Sequence, residues 1–526
     1  MASNIQQQQE CNRTVVGICA EAEGLNTQAL GVASHAEGAN TIAGIQGGGL
    51  AAHAEGGTTV ASGDLSHAEG AGTTANGAIS HAEGAGTTAS GAIAHAEGLE
   101  TEAGGVASHA EGSKTIAEGF ASHAEGISIE RTGVSIFTTA IGSGSHAEGR
   151  GTIARAISSH SEGSGTIAEG FASHAEGGST RASGSESHSE GSGTIAEGSA
   201  SHAEGAGTVA NGNNSHSEGE NTIASGRDSH AEGRETIARG VDSHAEGFMT
   251  RAEGTDSHAE GSGTTASGNN SHAEGIGTTA SGSSSHAEGS GTSTNGFTGA
   301  HIMGRFGDAT DSYSWHLANG TIPDVRTLTA KILKEGLGIA QQGWVMGNAD
   351  YAEMFETADG QTIDVGYFVT FEGESKKIRR ANADDEYILG ITSAAPGILG
   401  NSEELRWKHM YLTDEWGRIL YQEVIVPAVK DEEGNILIPE RTETQPILNP
   451  EWDRTKEYIP RIKRPEWVAV GLLGQILIRD DGTCRAGGCC KPNSEGIATA
   501  SKKGYRVMER TGPNQILILY TIQNIK

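Results

Sequence analysis

The stretch SHAEGIGTTASGSS, residues 271–284, is one copy of a unit that fills the first 300 residues. A repeat this short constrains the fold more than any other feature of the chain. Its histidines run from His35 to His286 and stand fourteen apart except at two places. The step from His35 to His53 is eighteen, and the step from His123 to His146 is twenty-three. Glu21 in AEAEG holds the histidine position of a degenerate first copy, which makes nineteen copies in all.

Fourteen residues are too few for a helical pair. The unit divides into two five-residue pieces, Ser271–Gly275 and Thr278–Gly282, separated by two-residue turns. Period-two alternation within each piece indicates strands, and glycine punctuates the turns. The expected fold class is therefore mainly β. A β-solenoid with two short strands per coil comes first, followed by a mixed, mostly β C-terminal region. Coils stack about 4.8 Å apart, so nineteen make a rod of roughly 90 Å. In SHAEG, Ser and Ala share one strand face and suit a thin interior. His and Glu share the other, which faces solvent or partner chains.

Composition changes after the array. All six Trp, nine Tyr and ten Pro lie beyond residue 312. Small side chains supply little apolar area, so the repeats gain stability from stacking and from association with other chains. The reading divides the chain into an N-terminal segment 1–15, a repeat rod 16–300, a cap or junction 301–345 and a C-terminal domain 346–526. In the junction, GAHIMGRFGDATDSYSWHLANG reads as a terminal repeat, and TLTAKILKEGLGI reads as a short strand or helix. The C-terminal strand candidates are TIDVGYFVTF, RILYQEVIVPAV, NILIP, WVAVGLLGQILIR and QILILYTI, with one or two helices besides.

The pattern S-x-A-x-G-x-x-T-x-A-x-G resembles the head repeats of trimeric autotransporter adhesins. That resemblance implies a homotrimeric left-handed parallel β-roll. The family commonly carries apolar residues where this chain has His and Glu.

A repeated His-x-Glu is also a candidate metal ligand set, since imidazole and carboxylate suit zinc and similar ions. A hydrogen-bonded His–Glu ladder accounts for the pattern without an ion, so no metal and no cofactor is assigned. Histidines that charge below about pH 6.5 then either pair with the glutamates or repel one another along the stack.

Several function classes are excluded. The sequence has no GxxxxGK[ST], no HExxH and no GxSxG in a strand-turn-helix setting. A net charge of −31 argues against gripping nucleic acid or an anionic membrane. The run KKIRR, Lys376–Arg380, reads as a solvated strand edge. No secretory signal pattern and no long apolar run is visible, so synthesis in the cytoplasm without membrane insertion is expected. Five cysteines, Cys11, Cys19, Cys484, Cys489 and Cys490, form an odd set and read as free thiols.

NADYAEMFE, residues 348–356, is the most telling stretch of the C-terminal region. Read locally, Asp350-x-x-Glu353 is a helix-opening capping box, with Tyr351 and Phe355 on one helix face. The stretch also resembles the auto-processing intramolecular chaperone domain of phage appendage proteins. GYFVT, YILGIT, LTDEWGR, ILNPEWD and RTGPNQILI extend that resemblance over roughly residues 300–526. It implies a domain that helps three chains assemble and then cleaves itself off, acting on no external substrate. It places the cut at Ala349–Asp350, with Glu353 as the acidic catalyst and Asp350 assisting. Family members can carry Ser before the cut, where this chain has Ala349. A rival chemistry has the Asn348 side-chain amide attack its own carbonyl and cut at Asn348–Ala349. The functional expectation is a trimeric phage or prophage fibre, on the virion or an extracellular surface. Its expected partners are other virion proteins or a host-surface receptor. The alternative is a trimeric surface adhesin or spore-surface filament of a Gram-positive bacterium.

Overall fold

Each fourteen-residue unit forms one coil of a parallel ladder. The strand His81–Ala85 pairs in register with His67–Ala71 before it and His95–Leu99 after it, so His meets His, Ala meets Ala and Glu meets Glu. The second strand of the coil, Thr88–Ala89, pairs in the same way with Thr74–Ala75 and Glu102–Ala103. The computed structural model describes residues 12–131, 133–341, 349–403, 410–427, 429–430, 436–438, 440–453 and 455–521. The chain divides into one unit up to Gly343 and a second from Trp344.

The interior of the first unit holds the small residues expected there. Ala82, Ala89, Ser80 and Thr87 are all buried. Ser80 donates from its hydroxyl to the Gly77 carbonyl at 2.7 Å, which satisfies a buried polar group inside its own turn. Thin coils require glycine where the turns touch. Gly84 has φ +106°, and a Cβ on it would lie 2.2 Å from the carbonyl oxygen of Gly98 in the next coil.

Both interruptions of the repeat loop out without breaking the ladder. His35 still pairs with His53, and His123 with His146. The longer insertion folds into an antiparallel hairpin of Ile129–Arg131 with Val134–Ile136. The parallel ladder also runs past the recognised copies. Thr14–Val15 pairs with Gln28–Ala29, and His301–Asp308 continues from His286 to Trp315–Asn319. Trp315 takes the place of the next histidine, its ring 4.4 Å from that of His301. The pairing then turns antiparallel through Leu328–Ile332 and Gly338–Ala340, so TLTAKILKEGLGI forms strands.

The second unit is built on an antiparallel sheet. Its spine runs from Ile378–Arg380 through Phe368–Phe371, Gly390–Thr392, Trp467–Arg479, Gln515–Tyr520 and Tyr505–Gly512 to Cys489–Pro492 and Ala498–Ser501. Phe368, Ile391, Ile478, Tyr505, Ile518 and Tyr520 fill its core. The expected strand segments all contribute strands. Among the described residues the only helical element is a 3-10 turn, Arg461–Lys463. KKIRR supplies the edge strand Ile378–Arg380, and two of its cations are paired: Lys377 with Glu356 at 2.7 Å, and Arg379 with Asp385 and Glu372, each at 2.8 Å.

Candidate cleavage site

DYAEMFE is a strand, Asp350–Glu356, and the helix-opening reading is overturned. Its residues alternate as a half-buried strand does: Asp350, Ala352 and Met354 are buried, while Tyr351 is exposed and Glu353 partly so. The strand runs antiparallel to Trp467–Arg479 and parallel to Ile398–Gly400. These partners fix its conformation over the local capping pattern. On a strand, residues three apart lie about 10 Å apart and on opposite faces. The helical turn that would have folded the Glu353 carboxylate back onto the 349–350 bond is therefore absent.

Glu353 instead accepts a hydrogen bond from the Tyr351 hydroxyl at 2.5 Å, and this bond raises the phenol above its ordinary value. Gly400 lies against the pair. A Cβ there would be 3.0 Å from the Tyr351 hydroxyl oxygen and 3.1 Å from Glu353 Cγ.

Backbone from two other segments holds Asp350 and the bond before it. The Gly397 amide donates to the Asp350 carbonyl at 2.9 Å and to Asp350 Oδ1 at 3.3 Å. Gly474 is the register partner of Asp350. A Cβ on Gly474 would lie 2.1 Å from the Ala349 carbonyl oxygen and 2.9 Å from Asp350 Cα. Asp350 Oδ2 is buried without a hydrogen-bond partner. A buried carboxylate oxygen left unpaired is costly, and such groups concentrate at reactive sites.

Two clefts meet at this bond. One, of ≈ 620 Å³, is lined by Ala349, Asp350, Thr392, Ser393, Arg479 and Asn514 among others. The other, of ≈ 310 Å³, is lined by Ala349, Asp350, Tyr351, Gly397, Leu473 and Gly474 among others. Ala349 is exposed, so solvent reaches the bond. Asn348 lies outside the described residues. Gly397, Gly474 and Gly471, where a Cβ would lie 3.3 Å from Asp350 Oδ2, escaped the sequence reading. The signal for the last two was glycine inside the strand run WVAVGLLGQILIR, which marks close backbone approach.

The repeat ladder is a second cluster of titratable groups. Neighbouring imidazoles stack at 4.8 Å with rings parallel to within 2°, as between His188 and His202. His188 Nε2 lies 3.1 Å from Glu176 Oε1 of the preceding coil, which is the expected hydrogen bond. In earlier coils the same pair opens, to 3.5 Å between His81 and Glu69. Sets such as His53, Glu55 and His67 bring three ligand atoms within 4.8 Å of one another. Parallel rings present their nitrogens side by side, which is a poor arrangement for two imidazoles converging on one ion.

Residues 307–516 match the Peptidase_G2 family, the IMC autoproteolytic cleavage domain. The pre-neck appendage protein of Bacillus phage B103 is 39% identical over 165 residues, covering 31% of this chain and 17% of that protein. That of Bacillus phage phi29 is 39% identical over 139 residues, 26% of this chain and 15% of that protein. The chain thus spans less than a fifth of the length of these relatives. Among solved structures, the C-terminal fragment of phi29 gene product 12 is 35% identical, covers 33% of this chain and all of the fragment, and aligns with a TM-score of 0.27. The Peptidase_G2 region contains the strand Asp350–Glu356 and the glycines packed against it.

Proposed function

We propose that this chain is a structural fibre of a phage appendage that assembles as a homotrimer. Its C-terminal unit serves as an intramolecular chaperone and cuts itself away at Ala349–Asp350. The reading places the protein on a virion, in contact with other virion proteins or a host-surface receptor. The observation that carries it is the setting of the 349–350 bond: Gly474 against the Ala349 carbonyl, Asp350 fixed by Gly397 through the next carbonyl along the chain, and a buried, unpaired carboxylate oxygen on Asp350.

Cleavage is a hydrolysis. Water adds to the Ala349 carbonyl carbon, the C–N bond breaks, and the Asp350 amine leaves with a proton. Asp350 supplies the carboxylate nearest that amine and moves the proton as general acid or base. Glu353 is the second acidic group, hydrogen-bonded to Tyr351 on the strand face opposite Asp350. The fold supplies proximity for Asp350, whose carboxylate is on the residue that follows the bond.

Intact-mass analysis of the assembled full-length protein tests this reading. The expected products are residues 1–349 and 350–526. Asp350→Asn and Glu353→Gln should each leave the chain uncut while assembly proceeds. Asn348→Ala should not affect this cut and would block only the rival one at Asn348–Ala349. A correctly assembled wild-type protein that stays full length for days would sink the cleavage reading.

A further inference from the structure

One edge of the repeat unit carries an apolar ridge. The turn just before each buried serine projects a large apolar side chain in the earlier coils. Ile18, Val32, Ile79, Ile93, Phe120 and Phe171 occupy it, each between 47% and 73% exposed. In the later coils the same turn carries Ser185, Ser199, Asn213, Arg227, Thr255 and Asn269, all exposed, with the half-buried Val241 the one large apolar residue among them. The interior continues through both halves as buried Ala, Ser and Thr, with Ser161, Ser189 and Ser217 in place of one Ala. Consecutive turns are hydrogen-bonded to one another, as Ile93 N to the Ala78 carbonyl at 2.8 Å and Ile79 N to the Asp64 carbonyl at 2.7 Å. The ridge is therefore a fixed line of side chains, at the first or second position of each turn and interrupted only at Ser143–Gly144.

We propose that this ridge is the surface through which copies of this chain join along the earlier half of the repeat unit. The proposal rests on the homotrimer reading and names the contact that makes it. Three observations select a second copy as the occupant. The first is area. Ten ridge residues are exposed, at roughly 80 Å² each. Together they offer on the order of 800 Å², close to what each partner buries in a standard interface and above the largest apolar patch of a typical monomer.

The second is spacing. The ridge repeats with the coil, whose stacked rings are 4.8 Å apart. A partner meeting every side chain of such a line must share that rise, and another copy of this chain does. A line of this kind that meets the next copy head-to-tail closes into a ring of three.

The third is charge. Copies with a net charge of −31 repel one another, and an uncharged line of side chains is where they can approach.

The test uses the full-length chain. Native mass spectrometry is run on the wild type and on a triple variant, Ile79→Ser, Ile93→Ser and Phe120→Ser. A control triple, Asn213→Ser, Thr255→Ser and Asn269→Ser, is run beside it. The expected result is a trimer for wild type and control, and at least tenfold weaker association for the ridge variant with β circular dichroism retained. Hydroxyl-radical footprinting of the unaltered protein adds a readout that needs no variant. Ile79, Ile93 and Phe120 should be protected relative to Met249, which is 49% exposed and off the ridge. A wild-type trimer with the ridge residues fully labelled, or a ridge variant that associates as wild type does, overturns the inference and leaves the ridge to a different protein. A monomeric wild type overturns the trimer reading itself.

Discussion

Gly474 touches Ala349 so closely that no other residue fits there: an added Cβ would lie 2.1 Å from the Ala349 carbonyl oxygen. Its φ of +119° independently favours glycine. The contact holds the carbonyl that cleavage must attack. Gly474→Ala should therefore slow the cut at least tenfold in the assembled protein, read by intact mass. The strained backbone should also lower the stability of the second unit by about 1–3 kcal/mol in denaturant unfolding. Cutting at the wild-type rate with unchanged stability would show that the close approach does not position the bond.

The cysteines should separate by burial. Cys484 and Cys490 are fully buried, while Cys19 is exposed. Burial, helped by the hydrogen bond to Asp480, pushes the Cys484 thiol up to about 12, and burial raises Cys490 as well. The thiolate is the reactive form. Iodoacetamide at neutral pH should label Cys19 in the native protein and reach Cys484 and Cys490 only after unfolding. Native labelling of either buried thiol, mapped by peptide mass, would contradict this packing.

Acid should weaken the repeat unit. Burial first, and then the neighbouring imidazoles, lower His53, His67, His109 and His146 from the ordinary 6.5. The surrounding glutamates oppose this, and do so less strongly. A lowered histidine favours the neutral form in the fold. As pH drops through 6.5 the unfolded chain takes up protons first, and stability present above that value is lost. Glu55 acts in the opposite sense. Carboxylate hydrogen bonding with Glu37 and Glu69 raises it to about 7, so the fold gains from its protonation between 7 and 4.5. Glu83 is raised too, by carboxylate hydrogen bonding with Glu97 and Glu69, but four lowered histidines stand against the two carboxyls, and the melting temperature should be lower at pH 5.5 than at pH 7.5. A higher melting temperature at pH 5.5 would mean that the shared carboxylate protons dominate.

The solenoid was legible because its signal is local and repeated. Each unit alone shows Ser and Ala on one strand face and His and Glu on the other, and the parallel ladder preserves that assignment at every rung. The cleavage strand was misread for the opposite reason. Asp350-x-x-Glu353 satisfies a local helix rule, but the segment is paired along its length to Trp467–Arg479, more than a hundred residues away. Ala352 and Met354, buried two apart, carried the period-two signal, and the capping pattern obscured it. Gly397 was invisible as a site residue because its role exists only where distant backbones meet, and Gly474 left only the mark of a glycine inside a strand run, with nothing to say which backbone approaches it.

The coil length can be tested by deletion. Residues 271–284 form one complete turn of the ladder. His272 pairs with His258 on one side and His286 on the other, and Thr279 pairs with Thr265 on one side and Ser293 on the other. Removing all fourteen brings His286 against His258, with Ala on Ala and the turn glycines stacked as before. Removing only 271–277 sets the Thr-bearing strand against the His-bearing one, with Thr279 against His258 and His286 against Thr265, which breaks the imidazole stack and the His–Glu pairs at that coil and puts every later coil out of phase. Coils contact mainly their neighbours, so the whole-unit deletion costs little beyond one interface. It should remain soluble, with β circular dichroism and a melting temperature near that of the full chain. The seven-residue deletion should lose soluble yield or melt well below it. Equal behaviour of the two deletions would show that fourteen residues are not the structural unit.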